Sequence, residues 1–341
     1  MWISAVKRLK PWLVITIVLG WLGSLTPVYS NDSVAEMSIG GLRFARTDAI
    51  AMDSEMLKIS LDAVDIQYRF SNVSGKPLTV TVGFPLPDID LSEAENLSLP
   101  SADPVNFVDF KTSIDGQPAA LTIDQRAMLG TTDVSGKLQQ LKIPLLPVGT
   151  RELRPTDLPA LTQKELISAG LLIPAGVDER GRPRYSPAWM VKTSAVREQT
   201  FAADRPVLVE HHYRPSVGSS PDTVLRKGLR QNKALAAEVA RYRKDYCVTD
   251  AFLANLDKHT GARSANSANF GERRINYVLK TGANWAGPIK FFKLTIAKGA
   301  PDRLVSFCAG PLKSTGSNGF EFVATDFKPD ADLKILVIGR F

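Results

Sequence analysis

From residue 64 to 87 the chain reads VDIQYRFSNVSGKPLTVTVGFPLP, with Val64, Ile66, Tyr68 and Phe70 alternating with Asp65, Gln67, Arg69 and Ser71. That two-residue period predicts a strand with one face buried and one face wet. Residues 72–77 supply turn chemistry, and Leu78, Val80, Val82 and Phe84 then alternate again, so the stretch predicts an antiparallel hairpin. A hairpin with one apolar face needs a second layer to cover it, which points to a β-sandwich.

The same pattern recurs on both sides. Leu42, Phe44, Ile50, Met52, Met56 and Ile59 read as early strands of the hairpin's own sheet, and residues 88–104 as an acidic, aperiodic loop. Residues 107–114 resume strand character before Asp115-Gly116, a tight hairpin turn leading to 120–123. A short helix is expected over 133–141, and Pro144, Pro147, Pro155 and Pro159 then mark a connector. Thr162 and Glu165 fit a capping box for a helix over 163–169 ended by Gly170, with Leu166, Ile167 and Leu171 as core contacts. Residues 178–187 read as a polar loop. Residues 189–201 and 207–213 look like a further strand pair, and Ser220-Pro221 a helix start. Leu235, Val239, Tyr242 and Tyr246 share one helical face. Residues 261–271, rich in Ser and Asn, read as a mobile loop. Five short strands close the chain, beginning with a YVLKTGANW hairpin. The expected fold is mainly β, antiparallel and sandwich-like, with helical insertions: a first domain at 31–155, a connector at 156–185, and a second domain at 186–341 carrying a helical insert at 221–258.

The first thirty residues change the picture of where this fold resides. Lys7, Arg8 and Lys10 precede an apolar run over 12–25, and Val28-Tyr29-Ser30 offers small residues for cleavage before Asn31. This is the order of a secretory signal peptide, so a periplasmic or secreted protein is expected; the alternative is an uncleaved N-terminal membrane anchor. In an oxidising compartment Cys247 and Cys308 are expected to form a disulfide, worth roughly 4 kcal/mol for a loop of about sixty residues. Two buried free thiols or a reactive pair are the alternatives. The net charge of +7 is unevenly spread, with eleven Lys/Arg against eighteen Asp/Glu over 31–160 and twenty-eight against seventeen over 161–341. The basic half could contact an anionic envelope surface. Arg226, Lys227, Arg230, Lys233, Arg241, Arg243 and Lys244 concentrate that charge, with a solvated helix face as the plainer reading. Nucleic acid is not an expected partner, because no recognised binding motif is present.

The segments NDSVAEMSIGGLRF, YRFSN…VGFPLPDI, VEHHYRP, YVLKTGANWAGPIKFFKLTI and TDFKP resemble the DUF4424 family. The resemblance implies a bacterial, extracytoplasmic protein and brings no catalytic residues with it.

Candidate chemistry is sparse. His211, His212 and His259 are the three histidines; the first two are adjacent on an expected strand and so face opposite ways. There is no HExxH, no cysteine cluster with metal-ligand spacing and no G-x-S-x-G. No catalytic residue, cofactor or metal is therefore expected. Trp189, His212, Tyr213 and Trp285 are candidates to line a ligand groove, although the plainer reading of the tryptophans is that they plug the ends of the sandwich. The sequence supports a non-enzymatic envelope protein that binds an unidentified envelope component or protein. The alternative is a carboxylate-based hydrolase with two acidic residues meeting in one concave site.

Overall fold

The computed structural model describes residues 32–38, 41–92, 97–147, 157–261, 270–310 and 312–341. The expected signal segment at 1–30, part of the proline-rich connector and most of the 261–271 loop lie outside them. In chain order the strands are β1 (Ser33–Ser38), β2 (Gly41–Ala45), β3 (Ile50–Ile59), β4 (Val64–Asn72), β5 (Leu78–Pro85), β6 (Ile89–Asp90), β7 (Leu97–Ser98), β8 (Lys111–Ile114), β9 (Gln117–Pro118), β10 (Thr122–Leu129) and β11 (Thr132–Asp133). Helices α1 (Ser135–Gln140) and α2 (Ala160–Ser168) follow, then β12 (Leu172–Val177), β13 (Pro183–Pro187), β14 (Met190–Phe201), β15 (Val207–Tyr213) and β16 (Val217–Ser220). Helices α3 (Lys227–Arg230), α4 (Ala236–Asp245) and α5 (Asp250–Thr260) precede β17 (Gly271–Tyr277), β18 (Ile289–Ala297), β19 (Leu304–Phe307), β20 (Lys313–Ser314), β21 (Gly319–Phe327) and β22 (Leu333–Gly339).

The protein is mainly β, and the pairing is antiparallel except between β3 and β18. The central sheet runs β20-β21-β18-β3-β4-β15-β8-β9. A second sheet runs β11-β10-β14-β5-β1-β2, with β6 on β14, and a third runs β19-β22-β17-β16-β7. Both lay apolar faces against the inner face of the central sheet: one contiguous core joins Ile66 and Phe70 of the central sheet, Val82 and Phe84 of the second, and Ile275 and Ile335 of the third. The third sheet is buried on both faces. Along β22, Leu333, Ile335 and Val337 enter that main core, while Leu336 and Ile338 join Tyr242, Tyr246 and Leu256 from the helices in a second core. This is the period of two expected for strands.

The alternation read from the sequence is present: Val64, Ile66, Tyr68 and Phe70 are buried, and the residues between them are not. The expected hairpins are not. β4 pairs with β3 and β15, whereas β5 pairs with β1 and β14, so residues 73–77 carry the chain from one sheet to the other. The same holds for β14 and β15, and for β17 and β18. Alternation reveals a buried face but not the strand that pairs beside it, and a five-residue link spans the ~10 Å between packed sheets as readily as it closes a hairpin. A two-residue turn has no such freedom. Asp115-Gly116 does close the β8–β9 hairpin, with φ of 50° and 77°, as a type I′ turn requires.

The sheets also cross the expected domain boundary. β14 and β15 from the second half sit between or beside β5, β10, β4 and β8 of the first, and β18 pairs with β3. Of residues 178–187, the first five are the expected loop, and Pro183–Pro187 is strand β13, which closes a hairpin with β12. Helix α2 begins at Ala160 behind Pro159, so Thr162 lies inside it and caps nothing. Leu166 and Leu171 are buried as expected, while Ile167 is exposed. The helical insert is found, with Tyr242 and Tyr246 buried beneath it. Cys247 and Cys308 are disulfide-bonded, tying the residues after α4 to those after β19.

Candidate functional site

Three of the four groove candidates belong to the core. Trp189 is fully buried and its indole N–H donates to the Leu145 carbonyl at 2.7 Å. Trp285 is buried against Phe70 and donates to the Asp32 carbonyl at 2.9 Å. Tyr213 packs against Phe84 and Phe110. These rings fill the interior, and each indole N–H has a carbonyl partner there. His212 points the other way and lines a cleft.

That cleft, about 940 Å³, opens over the outer face of the central sheet. Cross-strand register builds its floor in two rows. One row runs Lys293 (β18), Met56 (β3), Gln67 (β4), Glu210 (β15) and Ser113 (β8). The next runs Thr295, Lys58, Asp65, His212 and Lys111 on the same strands. Directly opposed side chains on one face interact, so the rows are contiguous surfaces. Pro118, Ala119, Leu121 and Ile123 add an apolar side where β9 leads into β10.

A β-bulge aligns the rows. In β3, Met52 pairs with Phe70 but Ser54 with Arg69, which leaves Asp53 as an extra residue. Ile50 and Met52 are buried before it, and Glu55, Leu57 and Ile59 after it. The bulge therefore turns Met56 and Lys58 to the cleft, and Met56 is exposed rather than core.

The floor is hydrogen-bonded within itself. Gln67 Nε2 donates to Glu210 Oε1 at 3.0 Å and Ser113 Oγ to Glu210 Oε2 at 3.1 Å. His212 Nδ1 lies 2.7 Å from Asp65 Oδ1, both half exposed. Lys293 pairs with Glu321 at 2.6 Å, and this bond holds the Glu321 carboxyl below its usual range. The Asp65–His212 pair has the form of the orienting half of a catalytic triad. Yet Ser113 turns its hydroxyl to Glu210, and no hydroxyl bonds His212 among the described residues.

Behind the floor lies a charged cluster the sequence did not disclose. Asp32 is fully buried, with Oδ2 2.7 Å from Arg197 Nη2 and 3.1 Å from His211 Nε2. Burial alone would push the Asp32 carboxyl up, but the Arg197 guanidinium and the close contact with His211 outweigh it and hold it well below the carboxylate range. Burial pushes His211 down, against the pull of Asp32, favouring the neutral ring. Nearby, Tyr277 donates to the buried Glu55 at 3.4 Å, and burial raises the phenols of Tyr68 and Tyr277 far above their usual range. Among the described residues no group of three or more His, Cys, Asp or Glu could hold a metal ion.

The basic insert is largely paired within itself. Arg226 forks onto Asp222, Arg230 onto Asp257, and Arg243 reaches Asp250. Lys227, Lys233 and Lys244 enter no ion pair among the described residues.

Fold and site together define a layered, mainly antiparallel β protein with an open cleft, floored by polar side chains and walled by apolar ones, on its largest sheet. The chain belongs to the DUF4424 family, a domain of unknown function, whose model matches residues 30–336. No curated protein matches it. Among solved structures it is similar to a Legionella pneumophila protein provisionally described as nutrient-binding, at 14% identity and a TM-score of 0.43, covering 90% of this chain and 72% of that one. It is also similar to an M1 zinc metallopeptidase of Deinococcus radiodurans, at 7% identity and a TM-score of 0.24, covering 87% of this chain and 44% of that one. Similarity at this level assigns no activity to the chain. No helix among the described residues is long and apolar enough to cross a membrane.

Proposed function

We propose that this protein is an exported, non-enzymatic binding module of the cell envelope that holds a small polar ligand in the cleft over its central sheet. The observation that carries the reading is the floor itself: two in-register rows of side chains, all but Met56 able to hydrogen-bond, bounded on one side by apolar residues. A few fixed polar groups in a concavity of several hundred cubic ångströms are what small-ligand sites have in common. The basic, then apolar, first thirty residues and the disulfide support export into an oxidising compartment.

The hydrolase alternative draws on one observation, that Asp65 and Glu210 line the same cleft. Both rise from one face of one sheet, whereas carboxylates that cleave a glycosidic bond flank it from opposite sides. The binding reading is therefore preferred. It is tested by native mass spectrometry of the purified mature protein after incubation with a small-molecule extract, alongside Gln67→Trp, which fills the floor. A retained molecule absent from the variant supports it. Turnover of glycan, ester or peptide substrates that Glu210→Gln abolishes would replace binding with hydrolysis.

A further inference from the structure

The charged groups on the cleft floor differ in how they are partnered, and the difference describes a ligand. Glu210 is half-buried, and both its oxygens accept from neutral groups, Gln67 and Ser113. Among the described residues no cation lies within 4.0 Å of it. Asp65 and Lys293, by contrast, are each engaged at close range, Asp65 by His212 Nδ1 at 2.7 Å and Lys293 by the Glu321 carboxylate at 2.6 Å. Lys58 and Lys111, exposed on the second row, enter no ion pair among the described residues. The floor thus presents, near its middle, a carboxylate held only by neutral amide and hydroxyl groups, and on either side of it a lysine in no ion pair.

Resting on the binding reading above, we propose that the cleft takes a zwitterion of short-peptide size, its ammonium on Glu210 and its carboxylate on Lys111 or, for a longer ligand, Lys58. An ammonium supplies the charge that Gln67 and Ser113 cannot, and Glu210 is already fixed by them to receive it. Lys111 is the diagonal cross-strand neighbour of Glu210, with backbones ~7–8 Å apart. Lys58 stands two strands away on the other side, ~12 Å from strand spacing and rise. At ~3.3–3.6 Å per extended residue these separations correspond to a di- or tripeptide with both ends free. The floor carries no Phe, Tyr or Trp ring in its two rows, so it lacks the broad stacking platform that bases exploit.

The test is isothermal titration of the mature protein with a free-ended tripeptide pool of alanine, serine and leucine, and with its N-acetylated and its C-amidated counterparts. Free-ended peptide is expected to bind, and either cap to weaken binding at least tenfold. Glu210→Gln should erase the penalty of acetylation and Lys111→Met, for ligands that reach it, the penalty of amidation; unliganded thermal unfolding of each variant controls for folding. Capped and free peptides binding equally would overturn the proposal. So would absence of tripeptide binding while another small molecule is retained and displaced by Gln67→Trp; in that case the binding reading stands and the zwitterion does not. If neither tripeptide nor any extract molecule binds, both fall.

Discussion

Asp32 is the residue on which the most buried charge converges, and its removal should be felt accordingly. Asp32→Ala leaves Arg197 and His211 without their carboxylate in a site closed to water. Stranding a buried charge in this way costs about 3–5 kcal/mol, read as a shift in denaturation midpoint. His211 gives a pH signature. Its folded pKa lies below its unfolded one, so between the two the unfolded chain binds the extra proton. Stability is then fully present above about pH 6.5 and falls on acidification, by at most about 1.4 kcal/mol per pH unit. Asp32, also depressed, adds a second loss as pH drops below about 4. Asp88, Glu272 and Asp332, pushed up by burial, act with the opposite sign in the acid range. The informative quantity is therefore the difference between wild type and His211→Gln, in which the loss beginning near pH 6.5 should vanish. None of this cluster was legible in the sequence. Asp32, Arg197 and His211 are 165 and 14 residues apart along the chain, and each sits in an unremarkable local pattern. The adjacent histidines did announce that one would face inward, and His211 does.

Among the elements, crossings from sheet to sheet set the fold, and Asn72 secures the β4–β5 crossing to the β14–β15 crossing. Its buried amide donates to the Lys76 carbonyl within its own crossing and to the Phe201 carbonyl at the start of the other, both at 2.8 Å. Asn72→Leu would leave those carbonyls unpaired and should cost about 1–3 kcal/mol in chemical denaturation. The disulfide acts on a different pair of elements. Replacing both cysteines by serine should lower stability by about 4 kcal/mol in the chain-entropy model. Thiol labelling of unfolded, unreduced protein should find no free cysteine, and two after reduction. Strand positions, buried faces, the Asp115-Gly116 turn and the helical insert could all be read from local pattern, because they are decided by residues within a few positions of each other. Strand partners could not, because they are decided by packing between segments more than a hundred residues apart, as β4 and β15 are. The cleft was lost with them: its rows exist only once five strands are in register, and the bulge at Asp53 shifts the register without any glycine or proline to mark it. Met56 read as core for the same reason.

At the scale of the molecule, the acidic and basic halves are not two bodies with a surface between them but contributors to common sheets. Without residues 186–341, the second sheet loses β14, which hydrogen-bonds β10 on one side and β5 on the other, and the central sheet loses β15 and β18. β3 and β4 would remain as an isolated pair whose buried face, with Ile50, Leu57, Ile66 and Phe70, has lost its covering layers. Two strands with an uncovered apolar face are not independently stable in water. The reciprocal fragment fares no better. β14 would have no partner strand, and the third sheet would expose the face that Ile275, Tyr277 and Ile335 turn to the main core. Residues 31–155 and 186–341 produced separately should therefore show neither a cooperative thermal transition nor dispersed amide resonances, and neither should support ligand binding in the cleft, whose floor draws Gln67 and Ser113 from one fragment and Glu210 and His212 from the other. If either fragment folded alone, the shared sheets would have to be dispensable. If the two regained a cooperative transition only when mixed, the sheets would be the fold, and the charge difference between the halves would act within one molecule, drawing its strands together rather than attracting an outside partner.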